Sequence, residues 1–246
     1  MIRQACAFGF LLYLFLPVTA SWGQTKAAQS IDQLIDALGG EAYLNVKDIH
    51  TTGRFFSFAH GDLNGSDIFS DYIKFPDMER TEFGPLNKKS ITINRGKEGW
   101  KIVGKREPEP QGASEAEEFL KGFNTSIDYL LRFVVKEKQT TIQSVGSEII
   151  DFKRVDVIEV RDPEKNRITF YIDRDTHLPI KMQVRRTDES KVREEQYNNW
   201  HKFQGVMTPV YVSRLTDGLK TMEIHLDTAV YNSGLSENLF VPPKSK

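Results

Sequence analysis

The chain has 246 residues, and its 33 basic side chains nearly balance 34 acidic ones, for a formal net charge of -1. No global field steers such a protein towards nucleic acid. A hydrophobic content of 39%, with 16 phenylalanines, and a charged fraction of 27% exclude both a disordered chain and one embedded in a bilayer.

The first residues differ from the rest. Arg3 precedes an almost unbroken apolar run from Ala5 to Val18, and small residues follow around Thr19-Ala20-Ser21 and Gly23. This is the layout of a secretory signal peptide over residues 1–23, with cleavage expected after Ala20 or Gly23. The run is short for a membrane span. Cys6, the single cysteine, stands at the start of the apolar run rather than after it, so it is no lipidation site. An exported domain over residues 24–246 must then be held by core burial without a disulfide.

Lys26 to Gly40 reads as a short helix, with Ile31, Leu34, Ile35 and Leu38 as its stripe. Ser30 is a candidate internal cap, and Gly39-Gly40 is the stop. Covering one end of a sheet is the role expected of it. From Ile49 the period becomes two. Strands are predicted at 51–58, 68–75, 78–83, 90–94 and 99–103, with Asn64-Gly65 as the first hairpin turn. The adjacent Phe55 and Phe56 predict a bulge or burial on both faces. Residues 105–112, with Pro108 and Pro110, form an extended linker.

Ala113 to Val135 is the one long helical pattern. Ala116, Phe119, Leu120, Phe123, Ile127, Leu130, Leu131 and Val134 recur at three- and four-residue spacing and share one broad face. Gly122 and Asn124-Thr125-Ser126 weaken its middle. Thr125 is placed to cap a second piece, with Asp128 three residues on. Strands resume at 140–145, 155–160, 167–173, 179–185, 192–202, 207–215 and 221–230. Ile168, Phe170 and Ile172 alternate with polar neighbours, as do Ile180, Met182 and Val184. Such alternation marks an antiparallel sheet with one wet face. The tail around Leu239-Phe240-Val241 is expected to tuck back onto the body. Both strand groups share the central helix, so one domain is expected.

Catalytic signatures are missing. The five histidines are scattered without a metal-binding spacing, and Asp173 and Asp175 read as turn residues. The sequence contains no nucleophile elbow, no Ser-x-x-Lys and no glycine-rich phosphate loop. Neither catalytic residue, metal nor cofactor is expected, and the protein is read as a non-enzyme.

Phe170 to Lys181 (FYIDRDTHLPIK), Tyr197-Asn198-Asn199-Trp200 with Gly205 to Pro209 (GVMTP), and Gly96-Lys97-Glu98-Gly99-Trp100 resemble hairpin motifs of bacterial LolA-like proteins. The resemblance spans most of the exported chain, with its specific motifs mainly after Phe170. It implies a mainly β (α+β) fold: one strongly curved antiparallel sheet, a half-open β-barrel, with helices covering the concave face. It also implies a periplasmic, monomeric protein whose apolar cavity takes acyl chains of a lipid or lipoprotein. An envelope sensor binding a membrane-associated partner protein is the alternative within the same fold, and a structural domain without ligand is another. For the latch arginine of lipoprotein carriers, Arg54 is a match by rough position only. The expected cavity residues are Phe55, Phe69, Ile93 and Trp100 from the early strands, Phe119, Phe123, Ile127 and Leu130 from the helix, and Phe170, Ile172, Met182 and Met222 from the later strands. Burying acyl chain yields roughly 0.8 kcal/mol per methylene, so such a cavity binds without any catalytic group.

Overall fold

A computed structural model of the chain describes residues 19–85 and 88–243, with side chains from Lys26 onwards. The apolar core of the expected leader lies outside these residues. Helix α1 (Thr19–Leu38) runs through both expected cleavage points. A single turn, α2 (Glu41–Leu44), follows it. The strands are β1 (Asp48–Ala59), β2 (Asp62–Lys74), β3 (Met78–Phe83), β4 (Ser90–Arg95), β5 (Glu98–Val103) and the two-residue β6 (Glu109–Pro110). Helix α3 (Ala113–Asn124) and a second helical piece, α4 (Ile127–Tyr129) continued by a π turn at Leu130–Val134, separate them from the later strands. Those are β7 (Thr141–Ile150), β8 (Lys153–Arg161), β9 (Arg167–Asp173), β10 (Pro179–Arg185), β11 (Val192–Phe203), β12 (Val206–Thr216) and β13 (Leu219–Tyr231).

All the strands form one antiparallel sheet of 13 strands in the order β6-β5-β4-β3-β2-β1-β13-β12-β11-β10-β9-β8-β7. The chain therefore builds one flank outward from β1, crosses through the helices to the far edge, and returns strand by strand until β13 pairs with β1. The sheet is curved and does not close. Apart from the two-residue β6, which forms inside the expected linker, the strands are those predicted, mostly one to several residues longer, because hydrogen bonding continues past the apolar alternation into polar ends.

Local corrections follow from pairing. The first hairpin turns at His60-Gly61, and Asn64-Gly65 lies inside β2. Ser57 pairs with Gly65 and Phe58 with Leu63, so Asn64 is the extra residue of a bulge. Phe55 and Phe56 lie between two irregularities (this one and another at Thr52/Gly53) and point to opposite faces. Phe55 packs on Phe83 at 5.1 Å and Phe56 on His225 at 5.0 Å between ring centroids. Gly53 is required where it stands, because a Cβ there would sit 2.1 Å from the His225 carbonyl oxygen.

Helix α1 does not merely cover a sheet end. Its Ala27, Ile31, Leu34, Ile35 and Leu38 join Leu130, Leu131, Val134, Ile158, Val160, Ile168, Phe170 and Ile172 in the main core. It therefore lies in the concavity of the β7–β12 half. Ser30 does not cap a break there: its hydroxyl donates back to the Lys26 carbonyl at 3.1 Å within a continuous helix. The helix stops at Gly39, with φ of 130°. A Cβ at that position would meet the Gly205 carbonyl oxygen at 2.5 Å.

The tail crosses the opposite, convex face. The Asp48 carboxylate accepts from the backbone N–H groups of Ser233, Gly234 and Leu235, fixing its departure. Leu235, Leu239 and Phe240 then pack on Ile93, Ile102, Ile91 and Trp100 in a separate small core. Phe240 is fully buried, whereas Val241 is exposed. Phe240→Ala is expected to lower the unfolding free energy by about 3–5 kcal/mol, read as an earlier midpoint in urea unfolding.

Candidate functional site

The long helical pattern breaks where its sequence is weakest. The Thr125 hydroxyl does not cap the second piece; it donates backwards to the carbonyls of Lys121 and Gly122 at 2.8 and 3.2 Å. Ser126 is the cap, its Oγ accepting from the Tyr129 N–H at 3.3 Å. The second piece carries Leu130 and Leu131, both fully buried, into the main core. It is pinned by Arg132, whose side chain is only 2% exposed. That guanidinium stacks 3.9 Å over the Tyr43 ring, donates to the Tyr43 carbonyl at 3.1 Å, and pairs with the Asp128 carboxylate.

Helix α3 runs elsewhere. At its start Glu115 pairs with Lys101 of β5 at 2.7 Å. Further along, Glu118 accepts from Arg186 at 2.8 Å and Lys121 pairs with Asp188 at 2.7 Å, both on the β10–β11 connection. The helix thus straps the two flanks of the open sheet together. The exposed pairs to Lys101 and Asp188 are individually worth about 0–1 kcal/mol, whereas Arg186 is buried, and α3 also buries Ala116 and Phe123.

Beneath it is a hollow of about 620 Å³, within the range of about 300–1,000 Å³ typical of ligand cavities. A smaller hollow of about 190 Å³ adjoins it and reaches inward to Tyr43, Trp200 and Tyr231. The two share Asp71, Ile73, Ile127, Asp128, Glu195 and Arg214 as walls.

Of the expected cavity residues, Phe119, Phe123, Met182 and Met222 line the larger hollow, Phe69 the smaller, and Ile127 both. Leu130, Phe170 and Ile172 are instead packed solid in the main core. Phe55 shares the concave face with its β13 neighbour Ile224 but is spent on Phe83 at the rim. Ile93 and Trp100 are misplaced by the sequence reading: they face the convex side, under Phe240. Their register partners explain it, since Thr92 and Asn94, the other parity of β4, line the hollow. Arg54 likewise belongs to the convex face, exposed and opposite Ile68 and His225.

The sequence reading also missed the charges within. Asp71 stands between the inward Phe69 and Ile73 on β2, and Glu79 opposes Ile73 from β3. Across the hollow, Arg214 Nε donates to Glu195 at 2.6 Å, and the Tyr197 hydroxyl donates to the same carboxylate at 2.8 Å. Thr81 donates to Asp71 at 2.8 Å. Burial pushes the Asp71 carboxyl up to about 6, against the Thr81 hydrogen bond and Arg214. Burial, followed by the neighbouring Asp71 charge, pushes Glu79 up to about 8. The available signal was phase: an ionisable residue in register with an apolar, inward stripe.

No protein-family model matches the sequence, and no curated protein does. Solved structures do match in shape. A DUF1329 family protein from Desulfovibrio piger superposes with a TM-score of 0.60 at 14% identity, covering 87% of this chain and 97% of that one. A putative outer membrane lipoprotein-sorting protein domain from Vibrio parahaemolyticus gives 0.55 at 12% identity, covering 88% and 97%. The LolA superfamily protein from Nitrosomonas europaea also gives 0.55 at 12% identity, covering 87% and 97%. The chain has the LolA-like fold. At these identities the likeness is one of architecture: a curved, unclosed antiparallel sheet with helices on its inner side. The LolA-like resemblance of the hairpin motifs and the observed half-barrel therefore agree. Among the described residues, no helix is long and apolar enough to cross a membrane.

The raised carboxyls make a stability prediction. A carboxyl that holds its proton to higher pH when folded than when unfolded destabilises the fold as pH rises between the two values. For Glu79 that window runs from its ordinary 4.5 to about 8. Glu79→Gln is expected to melt higher than the parent at pH 8 and equally near pH 4, with the gap opening between, in thermal melts across pH.

Proposed function

We propose that the protein is an exported binding or carrier protein that holds the acyl chains of a lipid or lipoprotein in the hollow beneath α3. The observation that carries this reading is the hollow itself. A sheet curved this far leaves concave apolar surface on its β1–β5 and β13 side that α1 and the second helical piece do not cover. Phe119, Phe123, Met182 and Met222 wall it together with Phe75 and Ile73. Rings continue from Phe119 to Phe123 at 5.5 Å, to Phe75 at 5.9 Å, and on to Phe133 at 5.9 Å. This is a wall for methylene groups.

The energetics suit a guest of that kind. At roughly 0.8 kcal/mol per buried methylene, half of a long acyl chain supplies about 6 kcal/mol before ordering costs. The apolar leader supports export, and the LolA-like architecture supports a carrier over an enzyme. The placement of α3 supports exchange, because it can lift by giving up Phe123 and its ion pairs without unpacking the core that Leu130 and Leu131 anchor.

Purified from cells and examined by native mass spectrometry, the protein is expected to carry bound lipid, and fatty acid is expected to displace an apolar fluorescent dye from it. Phe123→Asp is expected to weaken dye binding at least about tenfold, as a loss of roughly 1.4 kcal/mol or more requires, with the exported yield little changed. Absence of both lipid and dye displacement would overturn the reading.

A further inference from the structure

We infer that the guest carries a primary ammonium, so that the cavity takes a cationic amphiphile or aminolipid in preference to an anionic one. The inference rests on the cavity reading above and deepens it by naming the head group.

It comes from pairing off the charges that face the hollow. Glu115 is bound to Lys101, Glu118 to Arg186 and Arg193, Asp128 to Arg132, and Glu194 to Lys181. Glu195 is bound to Arg214 and further satisfied by the Tyr197 hydroxyl. Both arginines of the lining are therefore engaged: Arg193 by Glu118 and Glu189, and Arg214 by Glu195. An anionic head group finds no cation here that is not already held by a carboxylate.

Two carboxylates remain. Asp71 accepts one hydrogen bond, from Thr81, and Glu79 accepts none among the described residues. Neither has a cation within ion-pair distance there, although Arg214 is near enough to draw both carboxyls partway down. They lie on neighbouring strands, with Asp71 opposite Thr81 and Glu79 opposite Ile73, and both line the larger hollow. A second feature of the joined hollows points to a guest. Tyr43, 3% exposed, lines the inner chamber, where its hydroxyl lies near the Asp128 carboxylate yet makes no well-aligned hydrogen bond among the described residues. Buried polar groups are ordinarily satisfied, and a guest entering past Asp71 would bring an atom to complete this one.

A metal ion fits this pair poorly. Calcium takes about six to eight oxygen ligands, and no group of three or more metal-ligating side chains occurs among the described residues. An ammonium suits it better. It has three donors and is singly charged: it pairs with the Asp71 carboxylate and displaces to solvent the proton that Glu79 holds up to about pH 8, in a cavity where charge interactions exceed their strength in water. Its alkyl chain would run from Asp71 and Glu79 along Phe123 and Met222.

Amphiphiles sharing one twelve-carbon chain separate head group from tail. Dodecylamine, dodecanol and dodecanoate are titrated calorimetrically into the purified protein at neutral pH, below their micellar concentrations. Dodecylamine is expected to bind about tenfold or more tightly than either of the others. In the double variant Asp71→Asn with Glu79→Gln that advantage is expected to vanish while dodecanol binding persists, which also shows the variant's cavity to be intact. If the double variant does not fold, Glu79→Gln alone is expected to cut the advantage by at least half. Equal binding of all three, a preference for dodecanoate, or an amine preference that survives the substitutions would overturn the head-group inference alone. Binding of none would overturn it together with the cavity reading.

Discussion

At Thr125-Ser126 the long helical segment gives up continuous hydrogen bonding, and its two parts go to different places. The later part drives Leu130 and Leu131 into the core of the β7–β12 half and is locked by Arg132 against Tyr43. The earlier part spans the opening and touches both flanks through ion pairs. A straight helix could do one of these jobs and not both. The break lets a single segment fill half of the concavity and roof the other half.

That division sets the energetics of the molecule. The filled half holds the main core around Leu130, Leu131 and Phe170, and deletion of a large side chain there costs several kcal/mol. The roofed half has walls around a hollow, and its roof rests on ion pairs, the buried Arg186 and the buried Ala116 and Phe123 rather than on the main core. In the carrier role proposed above, stability and binding fall to different regions, and exchange moves α3 while α1, Leu130 and the strands beneath them stay in place. The convex face adds a third region: the tail, held at Asp48 and seated by Phe240, braces β3–β5 from outside.

The charges within the hollow give it a character beyond grease. A cavity for hydrocarbon alone gains nothing from Asp71 and Glu79, whose burial raises the affinity of both carboxyls for protons. Isolated carboxylates in such places are costly, and groups with shifted proton affinity collect at functional sites. The Arg214–Glu195–Tyr197 arrangement opposite is satisfied by itself.

Much of this was legible in the chain. Period-two alternation located the strands after Ile49, and Gly39-Gly40 ended α1 because Gly39 adopts a positive φ and leaves no room for a Cβ. The helical stripe and its weak middle at Gly122 to Ser126 were also visible. Local hydrogen bonding and steric limits act over a few residues, so a sequence states them directly. Alternation, however, says only that two faces differ; it does not say which one bends inward. Ile93 and Trp100 are as apolar as Phe69, yet they serve the convex core because the tail, more than a hundred positions away, returns to cover them. Leu130, Phe170 and Ile172 read as cavity lining until the packing of α1 filled the space above them. The phase of Asp71 between Phe69 and Ile73 was legible, but that Asp71 and Glu79 face one hollow was decided only when β2 and β3 were placed in register. Curvature and register depend on contacts between distant segments, and those the tertiary structure alone decided.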